Sequence, residues 1–404
     1  MLLDALFSHI VKKGSLRLQI GKGPFRHYGD GSGPAIHMHV KNHKTALAIG
    51  LNPYLKLGEA YMDGTLTIEN ATVFDFLSLL TRNLGAGDDS DPLLQKIQRG
   101  WRKSIRFAAQ YNPARRAKRN VAHHYDLSNT LYRLFLDRGL NYSCAYFDSP
   151  DDDLETAQNQ KLRHIAAKLA LKPGMRVLDI GCGWGSMALW LAHHCDVQVI
   201  GITLSTQQAQ LAKERVEQAG LSGRVFIHLK DYRAIEPAFD RIVSIGMFEH
   251  VGLPFYGAFF QKIHDLLTPD GVALIHHIAR SQGPGATNPW MTKYIFPGGY
   301  SPALSEVLPH IERSGLMLTD LEILRHHYAE TLHHWRQRFS KNRPKVAALL
   351  DERFCRMWEF YLAGSELSFR HGGHVVAQWQ LCRNLHSLPY TRPYMETFKK
   401  DMPL

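Results

Sequence analysis

The chain has 404 residues, of which 45% are hydrophobic, a formal net charge of +11 and five cysteines. This allows a sizeable core in two or three domains, while the odd cysteine count with no C-x-x-C pair excludes a disulfide framework or a zinc ribbon. No run approaches the roughly 18 apolar residues needed to span a bilayer, and MLLDALFSHIVKKG has no leader-type cleavage site. The expectation is a globular chain in a reducing cytoplasm, with an anionic partner for its positive charge.

Up to about residue 85, the short apolar segments Leu16–Ile20, Ile36–Val40 and Ala46–Ile49 are broken by glycine and proline and are followed by a helix-like Val73–Leu80. The pattern predicts a small α+β domain. Within it, Leu57-Gly-Glu-Ala-Tyr-Met-Asp-Gly64 reads as a helix end and a turn, and Gly85–Pro92 as a polar linker. From Leu93 to Tyr125 there is no acidic residue. At helical spacing Ile97, Trp101, Ile105 and Ala108 share one face, and Arg99, Arg102, Lys103 and Arg106 the other. Such a basic amphipathic helix either lies on an anionic bilayer or forms the solvated outer face of its own domain. The 23 histidines include five adjacent pairs, whose members point to different faces, so no metal site is expected, His371-Gly-Gly-His374 included.

Asn141-Tyr-Ser-Cys-Ala-Tyr-Phe147 places Cys144 among small and aromatic residues, which on its own reads as a buried structural thiol. A helix over Leu154–Leu171 then leads to the strand Met175–Ile180. Gly181-Cys-Gly-Trp-Gly185 turns that strand into a helix from Ser186, a βα unit whose helix amides face a ligand. The dinucleotide fingerprint G-x-G-x-x-G fails here, because its third glycine position is Ser186. With Asp179 two residues ahead, the compressed glycine turn resembles motif I of S-adenosylmethionine (SAM) methyltransferases. Val197–Thr203, Val225–Leu229, Arg241–Ile245 and Gly271–Ile275 supply further strands, and Ser205 N-caps a helix to Ala219. The alternation predicts an α/β, Rossmann-like SAM-dependent methyltransferase fold behind the small α+β amino-terminal domain. The second strand ends in Thr203 and not in an acid, so Thr203, Leu204 and Gln208 must hold the ribose side.

Later motifs are more specific: Gly246-Met-Phe-Glu-His-Val-Gly252, His276-His-Ile278, Asn288-Pro-Trp-Met-Thr-Lys-Tyr-Ile-Phe-Pro-Gly298 and His327-Tyr-Ala-Glu-Thr-Leu332. Together with Tyr142–Phe147 and Val177–Gly185, this ordered set resembles the cyclopropane fatty acid synthases and the related mycolic acid cyclopropane synthases, from about Val121 to the C-terminus. The resemblance implies a lipid-binding-like domain over 1–92, a basic linker helix over 93–120 and a catalytic domain over 121–404.

The activity it implies is methyl transfer from SAM to a cis double bond of a phospholipid acyl chain. A carbocation would form beside electron-rich rings such as Tyr142, Tyr146, Trp290 and Tyr294, and a base would then remove a proton from the new methyl group. In this family the base is bicarbonate, and its cage falls on Cys144 and Ile278, chiefly through backbone amides, with Glu249, His276 and Tyr328. SAM contacts fall on Tyr142, Ser143, Gly181, Gly183, Thr203, Leu204, Gln208, Tyr232 and Arg233, alongside Asp179 and Gly185 of the glycine turn.

Some relatives carry a cysteine where this chain has Ser365, and Val346–Phe369 reads as one helix walling the acyl pocket. The partners expected are the phospholipid acyl chain and an anionic membrane surface, with peripheral attachment to the inner face of the membrane. The oligomeric state stays open, a homodimer included. No zinc-finger, RNP-like or helix-turn-helix signature accompanies the charge, so nucleic acid is not an expected partner. A methyl-branched product and a non-catalytic lipid binder remain as alternatives.

Overall fold

The computed structural model describes residues 2–84, 110, 112, 129–236 and 238–402, which fall into two compact units. The expected basic helix lies outside the described residues apart from Gln110 and Asn112.

The first unit combines the amino-terminal residues with Ala286–Pro297 and Leu332–His374. Its four-stranded sheet runs β2-β1-β3-β4, made of β1 (Leu16–Ile20), β2 (Arg26–Tyr28), β3 (Ile36–Val40) and β4 (Leu66–Glu69). β1 and β3 are parallel, and both outer pairings are antiparallel. Alternate residues Leu16, Leu18 and Ile20 on β1 and Ile36, Met38 and Val40 on β3 face one core, as the two-residue period of a strand requires. Ala46–Ile49 lies inside the helix His43–Leu51, which is fixed at its start by the Asn42 side chain accepting the Thr45 N–H at 2.9 Å.

The Leu57–Gly64 patch has a packing role beyond a helix end. Gly58 sits in the helix Pro53–Met62, and a Cβ there would meet the Trp290 indole at 2.5 Å. The indole is 2% exposed and donates to the Met62 sulfur. Lys293 Nζ and the Tyr294 hydroxyl both donate to Glu59 Oε1, at 2.6 and 2.9 Å. Residues more than 200 positions apart in sequence are thereby joined into one unit. The helix expected over Val346–Phe369 is two helices, His327–Leu349 and Glu352–Arg370, because Asp351 caps the second by accepting the Phe354 N–H.

The second unit holds a seven-stranded sheet of β5 (Arg176–Ile180), β6 (Gln198–Thr203), β7 (Val225–Leu229), β8 (Phe239–Ile245), β9 (Leu267–Arg280), β10 (Met317–Leu324) and β11 (His374–Cys382). The order is β10-β11-β9-β8-β5-β6-β7. Pairings from β9 through β7 are parallel, and β10 runs antiparallel to β11. The chain builds outward from β5 through β6 to β7 and then returns to the other side with β8. That reversal between β5 and β8 opens a crevice beyond the carboxyl ends of the strands, where folds of this class bind ligands. Two apolar clusters fill the unit, one around Phe248, Phe259 and Ile263 and the other around Ala188, Leu191 and Val199.

Candidate active site

The glycine turn is built from the end of β5. Gly181 and Gly185 adopt φ of 82° and 81°, a left-handed conformation that disfavours any residue with a Cβ. The Gly181 and Cys182 N–H groups both donate to Ile202 O, at 2.9 and 3.0 Å, which ties the turn to β6. Gly183 has nothing within 4 Å of where a Cβ would stand, so its backbone is open to the crevice.

One cleft gathers ten of the eleven residues expected to hold the cofactor: Tyr142, Ser143, Asp179, Gly181, Gly183, Thr203, Leu204, Gln208, Tyr232 and Arg233. Gly185 is not on its wall; it serves as the N-cap of the helix Ser186–His194. At the end of β6 the Thr203 hydroxyl donates to Gln208 Oε1 at 2.8 Å, and Ser205 caps the next helix. Asp231, which the sequence reading did not single out, also lines the cleft and accepts from the Arg233 guanidinium at 2.7 and 2.8 Å. Asp179 is 1% exposed, and burial pushes its carboxyl up to about 7. Its Oδ2 is buried with no hydrogen-bond partner. A bare backbone at Gly183, an incompletely bonded acid and a polar floor fit the amino-acid and nucleoside ends of SAM.

Lys161 is a second residue missed from sequence. It lies on the helix Leu154–Leu169, is 1% exposed and lines the same cleft. Its ammonium donates to Asn141 Oδ1 at 2.9 Å and to Ser143 Oγ at 3.1 Å. Asn141 is in turn held by Asp137, whose carboxylate accepts from the Asn141 backbone and side chain and from the Gly139 N–H. The loop carrying Tyr142, Ser143 and Cys144 is therefore pinned from beneath by a buried polar chain.

The five cage residues do not line that cleft, although Met247, His250 and Val251 beside Glu249 do. Ile278 N–H donates to Glu249 Oε1 at 2.7 Å. The amide expected to face an anion is thus engaged with the carboxyl. Glu249 Oε2 has no partner, and burial pushes this carboxyl up to about 7. His276 precedes Ile278 by two residues and shares its face of β9. Gln378 Nε2 lies 3.1 Å from His276 Nδ1; with the amide donating there, the ring proton resides on Nε2, which is buried with no partner. His277 differs, since its Nδ1 lies 2.7 Å from Ile278 O and its Nε2 accepts from Trp379. One member of the pair is structurally satisfied and the other keeps a polar atom in reserve.

Cys144 is fully buried, donates to Ala145 O, and has its thiol pushed well up by burial, so the neutral form holds. Next to it, the Ala145 N–H donates to Thr331 Oγ1 at 3.0 Å, one helical turn beyond Tyr328. Lys161 interacts electrostatically with Cys144, Asp179 and His276, which brings the cleft and the cage into one field.

Three of the four aromatic rings expected beside a carbocation have other roles. Tyr146 stacks on His164 at 4.1 Å and on His327 at 4.9 Å, so both its faces are taken. Trp290 is enclosed in the first unit, and Tyr294 there already has Lys293 and Arg353 over its ring. Tyr142 lines the cleft, set edge-on by Tyr132 and Phe135.

Comparison with known proteins shows the family. Residues 112–379 match the family model described as mycolic acid cyclopropane synthetase. The cyclopropane-fatty-acyl-phospholipid synthase of Escherichia coli is 38% identical over 87% of this chain and 88% of its own. A probable fatty acid methyltransferase of Pseudomonas putida is 34% identical over 94% of this chain and 96% of its own. The crystal structure of mycolic acid cyclopropane synthase CmaA1, complexed with SAH and CTAB, matches with a TM-score of 0.62 at 35% identity, covering 67% of this chain and 99% of that one. With the family-model match over residues 112–379 spanning the glycine turn and the Glu249 loop, the chain belongs to the mycolic acid cyclopropane synthetase family of SAM-dependent methyltransferase fold.

Proposed function

We propose that this chain cyclopropanates cis double bonds in phospholipid acyl chains, taking the carbon from SAM and using bicarbonate as base. The observation that carries the reading is the Glu249 carboxyl, buried and half-bonded beside a cleft that fits SAM. When bound, SAM supplies an electrophilic methyl group and bicarbonate a base for one of its protons; the released C–H electron pair closes the ring. The glycine turn and the Ser143 loop hold the donor in line in a dry pocket, since an alkene is a weak nucleophile and positioning supplies much of the rate. Tyr142, on the wall of the cleft, is the electron-rich ring available to developing positive charge. Glu249 Oε2 and His276 Nε2 are the acceptor and donor for the anion, and a Glu249 pKa of about 7 lets the carboxyl share a proton with it. Neutral Cys144 is not the attacking group.

The substrate lies in a membrane, and among the described residues no helix is long and apolar enough to cross one. Docking on an anionic surface is supported by the net charge of +11 and by the first unit's helix His43–Leu51. There Lys44, Leu47 and Leu51 share a face, the leucines are 51% and 46% exposed, and no acid occurs from Gly31 to Gly58.

A second reading, methyl transfer to a fatty acyl chain without ring closure, is favoured by the Pseudomonas putida relative. Mass spectrometry of lipids from cells expressing the protein tests both. Cyclopropanation adds one CH₂ and removes the alkene's reactivity toward disulfide addition. Unchanged lipids would contradict both readings.

A further inference from the structure

We infer that Lys161 binds the α-carboxylate of SAM while Asp179 answers its α-ammonium, so that the floor of the cleft is a receptor for an amino-acid zwitterion. This rests on the reading of the cleft as the SAM site. Both side chains line the cleft and both are 1% exposed, yet the Lys161 ammonium bonds Asn141 and Ser143 while Asp179 Oδ2 has no partner. Opposite charges that share a buried wall without contacting each other are arranged for a ligand that carries both signs on one carbon.

Donor counting gives the same answer. A lysine ammonium has three N–H groups. Asn141 Oδ1 and Ser143 Oγ take two, and the third remains for the cleft, of which Ser143 is also part of the wall. On the other side, Asp179 Oδ2 has no partner.

Pinning the loop would require only a neutral donor. An ammonium on a buried helix face is disfavoured by desolvation unless an anion offsets it. Burial lowers Lys161 to about 8, against the pull of Asp137, Cys144 and Asp179. Asp137 accepts three N–H groups from Gly139 and Asn141 and reaches Lys161 only through Asn141, and the Cys144 thiol is neutral. His276, kept neutral by burial and by Lys161 itself, supplies no offsetting charge. A carboxylate arriving with the cofactor supplies the missing anion through a charge-assisted bond.

The test is calorimetry on the full chain with two ligands, S-adenosylhomocysteine and its decarboxylated analogue, which keeps the adenosine, thioether and amine. The wild type is expected to prefer the carboxylate-bearing ligand by about 30- to 100-fold, the range of a charge-assisted hydrogen bond. Lys161→Met removes the loop pin for both ligands and the carboxylate contact for S-adenosylhomocysteine alone, so it should weaken S-adenosylhomocysteine by about 30- to 100-fold more than the analogue, and the preference collapses. Equal loss for both ligands would make Lys161 a loop pin and overturn the inference. Equal wild-type affinity for the two ligands would overturn it without any variant, so the test survives a Lys161→Met chain that does not fold. If neither ligand binds the wild type, the SAM reading itself fails.

Discussion

The backbone N–H of Ile278 donates to Glu249 Oε1 at 2.7 Å, joining the loop after β8 to the carboxyl end of β9. The bond fixes one carboxylate oxygen and leaves Oε2 buried and unbonded. Replacing Glu249 with glutamine keeps the Ile278 bond but can put an amide N–H where an acceptor is needed. Activity should fall by about 100-fold or more, the usual size of an acid–base contribution, while affinity for S-adenosylhomocysteine stays within about twofold. Steady-state assays and calorimetry on the same preparation check both halves.

The same residue gives the stability a direction with pH. Burial raises the folded-state carboxyl from 4.5 to about 7, so between those values the folded chain binds the proton that the unfolded chain has released. Stability contributed by the protonated form is full below about 4.5 and is lost as pH rises through about 7. Asp179, raised from 3.8 to about 7, acts in the same sense. Chemical denaturation of Glu249→Gln should show little difference from wild type near pH 4.5 and a growing advantage toward pH 7, of roughly 3 kcal/mol at most. An advantage that shrinks with pH would refute the assignment.

Gly183 has φ of 54° and open space where a Cβ would stand. Gly183→Val places a branched side chain in that space and strains the turn. Affinity for S-adenosylhomocysteine should drop at least about 100-fold, equivalent to about 2.7 kcal/mol. Far-UV circular dichroism should be unchanged, since the sheet register does not involve this residue.

Cys144→Ser tests the thiol. Because the neutral Sγ bonds Ala145 O and the Thr331 side chain, contacts a hydroxyl can also make, turnover of the serine variant should stay within about tenfold of wild type. A folded, cofactor-binding Cys144→Ser chain with no turnover would restore the thiol as the reacting group.

Membrane docking predicts that Leu47→Glu combined with Lys44→Glu lowers co-sedimentation with phosphatidylglycerol vesicles several-fold, each lost cation being worth about 1 kcal/mol. Raising salt toward 0.5 M should weaken the wild type as well, because the attraction is screened over about 10 Å at 0.1 M. Equal binding to neutral vesicles would contradict the electrostatic part.

The parallel core was legible because its signals are local. Glycines at 181, 183 and 185, the aliphatic runs of β5 to β8 and the Ser205 cap each specify their own few residues. β10 and β11 were hidden because their polar residues are paired inside. Asp320 forms an ion pair with Lys168 at 3.1 Å, and Gln378 and Gln380 are almost fully buried, so neither strand reads as an apolar run. Lys161 was hidden for the same reason. Gln158, Lys161 and Lys168 resemble a solvated helix face, yet each is 1% exposed. The recruitment of Ala286–Pro297 to the first unit depends on Glu59 meeting Lys293 and Tyr294, a long-range contact that no local period reveals.

The most direct measurement uses the purified chain, dioleoyl phosphatidylglycerol vesicles and SAM with a fully deuterated methyl group. Ring closure removes one methyl hydrogen, so the account predicts an acyl product carrying two deuterium atoms at the new carbon, formed in proportion to the S-adenosylhomocysteine released. A product that keeps all three would show methyl transfer without proton removal, and would contradict the role given to Glu249 and the bicarbonate cage.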